Sequence, residues 1–402
     1  MRNRYDVDTD PLITETAIEN PQTDIYEKLL HTCPVFDRGD NSPLLISRRD
    51  DIVFLNQHPA VLGNGDAGPL MGATQRLIPL DIDGEEHTRF RRLLDPLFAP
   101  KAKTSQIANL EPVVRRLANS LIDEFVDAGE VELFSAFCVP LPTIIFVDLL
   151  GLPQRDRPFF LQFKDDIVHA NAGSPEANAQ LRMDAAMRMF GYLTEQLQLR
   201  ENDPDSYPGL LTGLLHAEVD GQRLQRQELL NIFLLLVIAG LDTVTGALSC
   251  MFCRLARFPD EQRQLRDDPS LIVAAVEELL RWESPVQWGH RLATEDLTLP
   301  SGYQLQAGDH LQLLWAAGNI DETACPAAMQ VKLDRAGNRH IAFASGAHRC
   351  LGSHLARMEL RCALDEFHRR IGEYRIKPGE MPRYPGGTVR TVAHLPLVFE
   401  PA

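Results

Sequence analysis

The chain has 402 residues, is 44% hydrophobic and carries a formal net charge of −16. That length and apolar content suffice for one core large enough to enclose a cofactor, and an acidic chain with no basic stripe interleaved with aromatics excludes a nucleic-acid partner. Seven scattered cysteines, an odd number, do not make a secreted disulfide framework.

The first residues, Met1 to Asp8, hold no apolar leader or spanning helix, so a cytoplasmic protein without a membrane anchor is expected. A strand pair is expected at Pro34–Phe36 and Leu44–Ser47, turning through Asp37 to Asp40. From Asp50 to Arg281 the pattern is overwhelmingly helical, with loops at Ala128–Glu130, Gly151–Pro153 and Asp203–Asp205. Gly63 to Gly68 spell G-x-G-x-x-G, but a dinucleotide site needs a buried strand before it and a helix opening after it. Asp50 to Leu55 reads instead as a short helix and Pro69 to Gly72 as loop, so the stretch is read as a glycine-rich lid beside a substrate pocket. The longest apolar helix runs roughly from Glu228 to Arg257, and its unbroken apolar run, Ile232 to Leu241, is too short to span a bilayer. Cys250 and Cys253 lie on that helix with no second cysteine pair and are read as core packing. Short strands follow at Leu297–Leu299 and Gln304–Leu305, then a helix after Cys350, then a tail with a strand near Leu395–Phe399. No linker, repeat or low-complexity tract divides residues 1–402, so one large domain is expected, mostly α with small β-sheets and with no fused reductase.

Four groups of residues carry chemistry. Phe343-Ala344-Ser345-Gly346-Ala347-His348-Arg349-Cys350-Leu351-Gly352 set a cysteine between two glycines at the start of a helix. Most free cysteines are buried small hydrophobes, but backbone N–H groups and a helix N-terminus stabilise a thiolate, which makes Cys350 a candidate metal ligand. Glu278 and Arg281 are three apart on a helical pattern and able to pair, a spacing that alone more often marks a solvated surface pair. Ala239-Gly240-Leu241-Asp242-Thr243 bring an acid and a hydroxyl into an otherwise apolar helix. There a threonine bonds back one turn, and a buried aspartate is expensive unless it is paired. His87 and Arg91, four apart, share one helix face and are able to grip an anion.

Together these motifs resemble those of the cytochromes P450, from near residue 80 to near 360. Phe343, Gly346, Cys350 and Gly352 fill the haem-loop pattern Phe-x-x-Gly-x-x-x-Cys-x-Gly, and Glu278-Leu279-Leu280-Arg281 the family's Glu-x-x-Arg. The Gly-Leu-Asp-Thr-Val form around Thr243 is close to that of camphor-hydroxylase-like bacterial members. The resemblance implies the P450 fold and haem b, with Cys350 as axial thiolate. It further implies that Glu278 and Arg281 are buried and brace the loop, with Arg335 as third member of the network. His87, Arg91, Arg291 and His348 would bind the haem propionates. A local opening of the helix would make room for dioxygen, with Thr243 hydrogen-bonding it and Asp242 relaying protons.

The activity so implied is monooxygenation with O2 and two electrons. No other redox centre is present, so a ferredoxin and a flavin-dependent ferredoxin reductase are the expected donors. A peroxide-driven haem enzyme ranks below this because the acid and alcohol are both present, and a non-catalytic haem protein because Cys350 and Thr243 are. Leu235, Ile238 and Ala239, on the face of Thr243, are expected to line an apolar wall, with Val286 and Gln287 entering from another side. Such a wall suits a small to medium apolar substrate, terpenoid-like by preference, with steroids, fatty acids and substituted aromatics as alternatives. A basic patch of Arg92, Arg349, Arg357 and Arg361 is expected to receive an acidic electron donor.

Overall fold

The structure is a computed structural model that describes residues 19–37, 39, 42–63, 76–168, 172–385 and 389–401. Its helices are α1 (Glu27–Thr32), α2 (Arg49–Gln57), α3 (Gly84–Phe98), α4 (Glu111–Asp123), α5 (Pro140–Leu150), α6 (Arg157–Val168) and α7 (Pro175–Asn202). They continue with α8 (Leu210–Leu215), α9 (Arg226–Arg257), α10 (Pro259–Asp267), α11 (Ile272–Glu283), α12 (Trp315–Asn319) and α13 (Ser353–Arg370). Short π-helical turns at Gln22–Tyr26 and Phe134–Cys138 precede α1 and α5.

The long helix α9 organises the core. It starts at a capping box in which Gln225 and Glu228 satisfy each other's backbone N–H groups, and Arg254 and Arg257 face the negative end of its dipole. Pro259 follows two residues after its end and opens α10. By length and composition α9 could cross a bilayer, which the reading of Ile232 to Leu241 alone missed; here it is mostly buried and packs on α5, α6, α7, α11 and α13. Cys250 and Cys253 are buried on it, and burial pushes both thiols up. The loop at Gly151 ends α5 with φ of 73°, a conformation that glycine adopts without strain.

The strands gather beside this helical mass. β1 (Val35–Phe36), β2 (Leu44–Ile46), β10 (His310–Leu313), β7 (Gly289–Ala293) and β3 (Val61–Leu62) form one sheet in that order, with β2 and β10 parallel. β4 (Glu130–Glu132), β12 (Pro396–Phe399) and β11 (Tyr374–Ile376) form a second, and two hairpins, β5 (Glu218–Val219) with β6 (Gln222–Arg223) and β8 (Leu297–Thr298) with β9 (Gln304–Leu305), complete the set. The expected strand pair, the short helix after residue 48 and the helix after Cys350 all form. β3 to β7, β10 and β11 were not foreseen, and β3, β4, β5 and β6 interrupt a stretch read as helical. A two-residue strand does lead into Gly63, but Asn64 to Gly68 and the lid reading lie outside the described residues.

Candidate active site

Cys350 sits at the end of a tightly folded loop. Its amide donates to the Phe343 carbonyl at 2.9 Å, and the Arg349 amide to the Gly346 carbonyl at 3.2 Å. Gly346 has φ of 73°, and a Cβ there would collide with the carbonyl oxygen of Asn56, so position 346 must be glycine. At Gly352, the N-cap of α13, a Cβ would meet nothing within 4 Å. The Cys350 side chain is solvent-accessible, yet burial pushes its thiol up, opposed by the Gly352 amide and the charges of Arg91, Arg357 and Arg349. The three arginine charges and the Gly352 amide near this accessible thiol favour its thiolate, the form that binds metal.

A buried ion network holds this loop from behind. The Glu278 carboxylate accepts from Arg281 Nε and Nη2 at 2.8 Å, from Arg335 Nε at 2.9 Å, from Asn338 Nδ2 at 2.9 Å and from the Lys332 amide at 2.8 Å. Five donors hold its pKa below the usual carboxylate range although burial pushes the other way. Arg281 also donates to the carbonyls of Asn319, Ala328 and Gln330, and Arg335 to those of Pro326, Ala327 and Gln330. Asn319 Oδ1 then accepts the Ile341 amide at 2.7 Å, and the Ile341 carbonyl accepts the Ala344 amide at 2.9 Å. The brace therefore runs hydrogen bond by hydrogen bond from α11 into the cysteine loop.

Three of the four residues expected to meet the propionates, His87, Arg291 and His348, line one cavity of about 940 Å³ together with Asn56 and Asp83, and Arg91 is not in its lining. The His87 and His348 rings lie 4.4 Å apart, and His348 Nε2 is 2.8 Å from Asp83 Oδ1. Burial and the neighbouring His348 and Arg91 lower the His87 pKa to about 4, and its Nε2 has no partner within the protein. Arg291, also buried, donates to two neutral acceptors, the His290 carbonyl and Asn56 Oδ1; burial lowers its pKa to about 10. Arg91 Nη1 reaches the Arg349 carbonyl at 2.9 Å, on the cysteine side. A buried cation on neutral acceptors and an unbonded imidazole nitrogen suit an acidic group, so this donor set together with Cys350 fits haem b.

On α9 most side chains around the acid and alcohol are buried, but Leu235, Ile238, Ala239 and Thr243 remain accessible. Their spacing of three and four puts them on one face. The helix continues unbroken through the expected opening. Thr243 Oγ1 donates to the Ala239 carbonyl at 3.0 Å, and the Phe146 ring occupies the space a Cβ at Gly240 would need. Here the glycine serves close packing against α5. Asp242 is buried, with Lys164 Nζ of α6 at 3.6 Å; Lys164 is also 3.0 Å from Asp165. Val286 pairs with Val389 in a short bridge, and the Gln287 carbonyl accepts the Ala316 amide.

Of the four arginines of the expected basic patch, Arg92 and Arg349 are exposed, whereas Arg357 and Arg361 are partly covered. Arg357 donates to both oxygens of Glu277 at 2.7 and 2.9 Å, Arg361 lies 3.6 Å from Glu111, and Arg92 lies 3.8 Å from Asp220. Lys164, Glu277, Asp83 and Asn338 were missed by sequence reasoning. Only Glu277, as the first of two adjacent glutamates, left a signal there.

The family model for cytochrome P450 matches residues 73–371. The chain is 33% identical over 321 residues to cytochrome P450 CYP107DY1 of Priestia megaterium, covering 80% of this chain and 76% of that protein. It is 31% identical over 373 residues to the steroid C26-monooxygenase of Mycobacterium tuberculosis, covering 92% and 98%. The crystal structure of CYP109E1 from Bacillus megaterium in complex with testosterone superposes with a TM-score of 0.87 at 26% identity, covering 96% of this chain and 100% of that one. The chain belongs to the cytochrome P450 family and is a haem-binding monooxygenase of bacterial type.

Proposed function

We propose that this enzyme hydroxylates an apolar substrate of steroid size, taking one atom of O2 into a C–H bond and reducing the other to water. The two electrons come from a ferredoxin and its flavin-dependent reductase, in the cytoplasm. The observation that carries this reading is the stripe of Leu235, Ile238 and Ala239, three accessible apolar side chains in line with the hydroxyl of Thr243 on the mostly buried middle of α9. Val286 and Gln287 complete the wall from the segment after Pro285. A steroid, one of the alternatives to a compact terpenoid, is favoured by the names of the steroid C26-monooxygenase and of the testosterone complex.

In this reading Cys350 would ligate the haem iron, and His87, Arg91, Arg291 and His348 would hold the propionates. When bound, haem b supplies oxygen activation and C–H oxidation, which thiolate ligation promotes by donating electron density. The protein's own part is positional. Phe343, Gly346 and Gly352 shape the loop, while Glu278, Arg281 and Arg335 keep it rigid. Thr243 offers a hydroxyl to the oxygen site, at present donated to the Ala239 carbonyl. Asp242, held beside Lys164, passes protons toward that hydroxyl. Acid, alcohol and cation standing together favour dioxygen with an external electron donor over peroxide.

The test is a spectral titration of the haem-loaded protein with steroid and terpenoid panels, followed by turnover with ferredoxin and reductase or with peroxide. Steroids are expected to give the larger Soret shift and a hydroxylated product only with the reductase system. A response confined to compact terpenoids or fatty acids, or turnover with peroxide alone, overturns the proposal.

A further inference from the structure

Two adjacent glutamates on α11 point to opposite tasks. Glu278 serves the buried brace, whereas Glu277 turns toward the cysteine loop and binds two groups there. Arg357 of α13 donates to both its oxygens at 2.7 and 2.9 Å, and His340 Nε2 lies 3.0 Å from it. His340 Nδ1 accepts the Ala342 amide at 3.2 Å, so the neutral ring carries its proton on Nε2 and donates it to Glu277. Both partners then converge on one ring. The Arg357 guanidinium lies 4.4 Å from the Phe343 centroid, and the His340 ring is 5.8 Å from it. The Phe343 carbonyl in turn accepts the Cys350 amide at 2.9 Å.

Arg357 is thus a cation stacked on the loop that carries the ligand, and Glu277 is its counter-charge. Charge near a redox centre changes the free energy of adding an electron, and a partly desolvated charge is screened less than one in water. A bidentate pair also fixes the guanidinium plane, so the cation cannot swing off the ring.

We propose that Glu277 is a positioning residue which, by neutralising Arg357 and fixing it with His340 on the Phe343 ring, sets the one-electron reduction potential of the haem bound through Cys350. The inference rests on Cys350 being the axial ligand.

The test is a reductive titration of haem-loaded wild type, Glu277→Gln, Arg357→Gln and the double variant, with dithionite as the one-electron donor in the presence of mediator dyes. Haem content and the reduced carbon-monoxide spectrum are recorded for each. Glu277→Gln leaves the cation uncompensated and is expected to raise the potential. Arg357→Gln leaves the anion and is expected to lower it, and the double variant returns toward wild type. A purely structural role shifts all variants the same way, in step with lost haem. Unchanged potentials, or shifts of one sign in both single variants, overturn the proposal. If Glu277→Gln does not retain haem, Arg357→Gln decides alone: a fall supports the proposal and no fall overturns it. A wild type lacking the thiolate-type carbon-monoxide band instead refutes the Cys350 assignment.

Discussion

Replacing Glu278 by Gln tests the brace behind the cysteine loop. The carboxylate is fully buried and receives five hydrogen bonds, three of them from the guanidinium groups of Arg281 and Arg335. Glutamine keeps the shape but turns an N–H donor toward groups that are themselves donors, and it leaves the Arg281 charge buried without its partner. Breaking a buried pair from one side costs about 3–5 kcal/mol, against a total stability of about 5–15 kcal/mol for a typical protein. Urea unfolding of the haem-loaded protein, followed by circular dichroism and Soret absorbance, is expected to show that loss with the Soret signal failing first. The pH dependence has a fixed sign. The folded pKa of Glu278 lies below its ordinary value, so its contribution is present above the unfolded carboxylate range and fades as pH falls through the folded value. The gap between wild type and variant should therefore narrow in acid. A loss under about 1 kcal/mol at neutral pH, the size of an exposed pair, or a gap indifferent to pH refutes the reasoning.

Three further outcomes are expected. Thr243→Ala should bind substrate and consume reductant but release more peroxide per product; unchanged coupling contradicts its place at the oxygen site. Gly240→Ala should lose about 1–3 kcal/mol through overpacking on Phe146, and Phe146→Leu in the same chain should recover part of it in thermal melts. Glu359 is buried on α13, and burial alone raises its pKa well above the ordinary value, so it costs stability as pH rises above the unfolded carboxylate range. Glu359→Gln should therefore stabilise the protein, and more so at pH 8 than at pH 5.

Local signals made much of this molecule legible. The apolar run of α9, the glycine at Gly151 and the strand pair around Asp37 are each encoded within a few residues. The glycine spacing of the cysteine loop was equally local, and the positive φ of 73° at Gly346 is its structural counterpart. What escaped depends on distant partners. β7 and β10 exist because they pair with each other and with β2 and β3, which short stretches such as His310 to Leu313 do not announce. The ion pairs Lys164–Asp242 and Arg357–Glu277 join residues 78 and 80 positions apart. The acidic partners of Arg357 and Arg361 were unforeseen for the same reason, since a charge's neighbours are set by packing.

The reduced carbon-monoxide difference spectrum of haem-loaded wild type and of Cys350→His tests the central claim most directly. The wild type should show the red-shifted Soret band of thiolate-ligated haem, and the variant should lose it while retaining some haem in the pocket of His87, Arg291 and His348. A variant that keeps the band, or a wild type that never shows it, contradicts the assignment of Cys350.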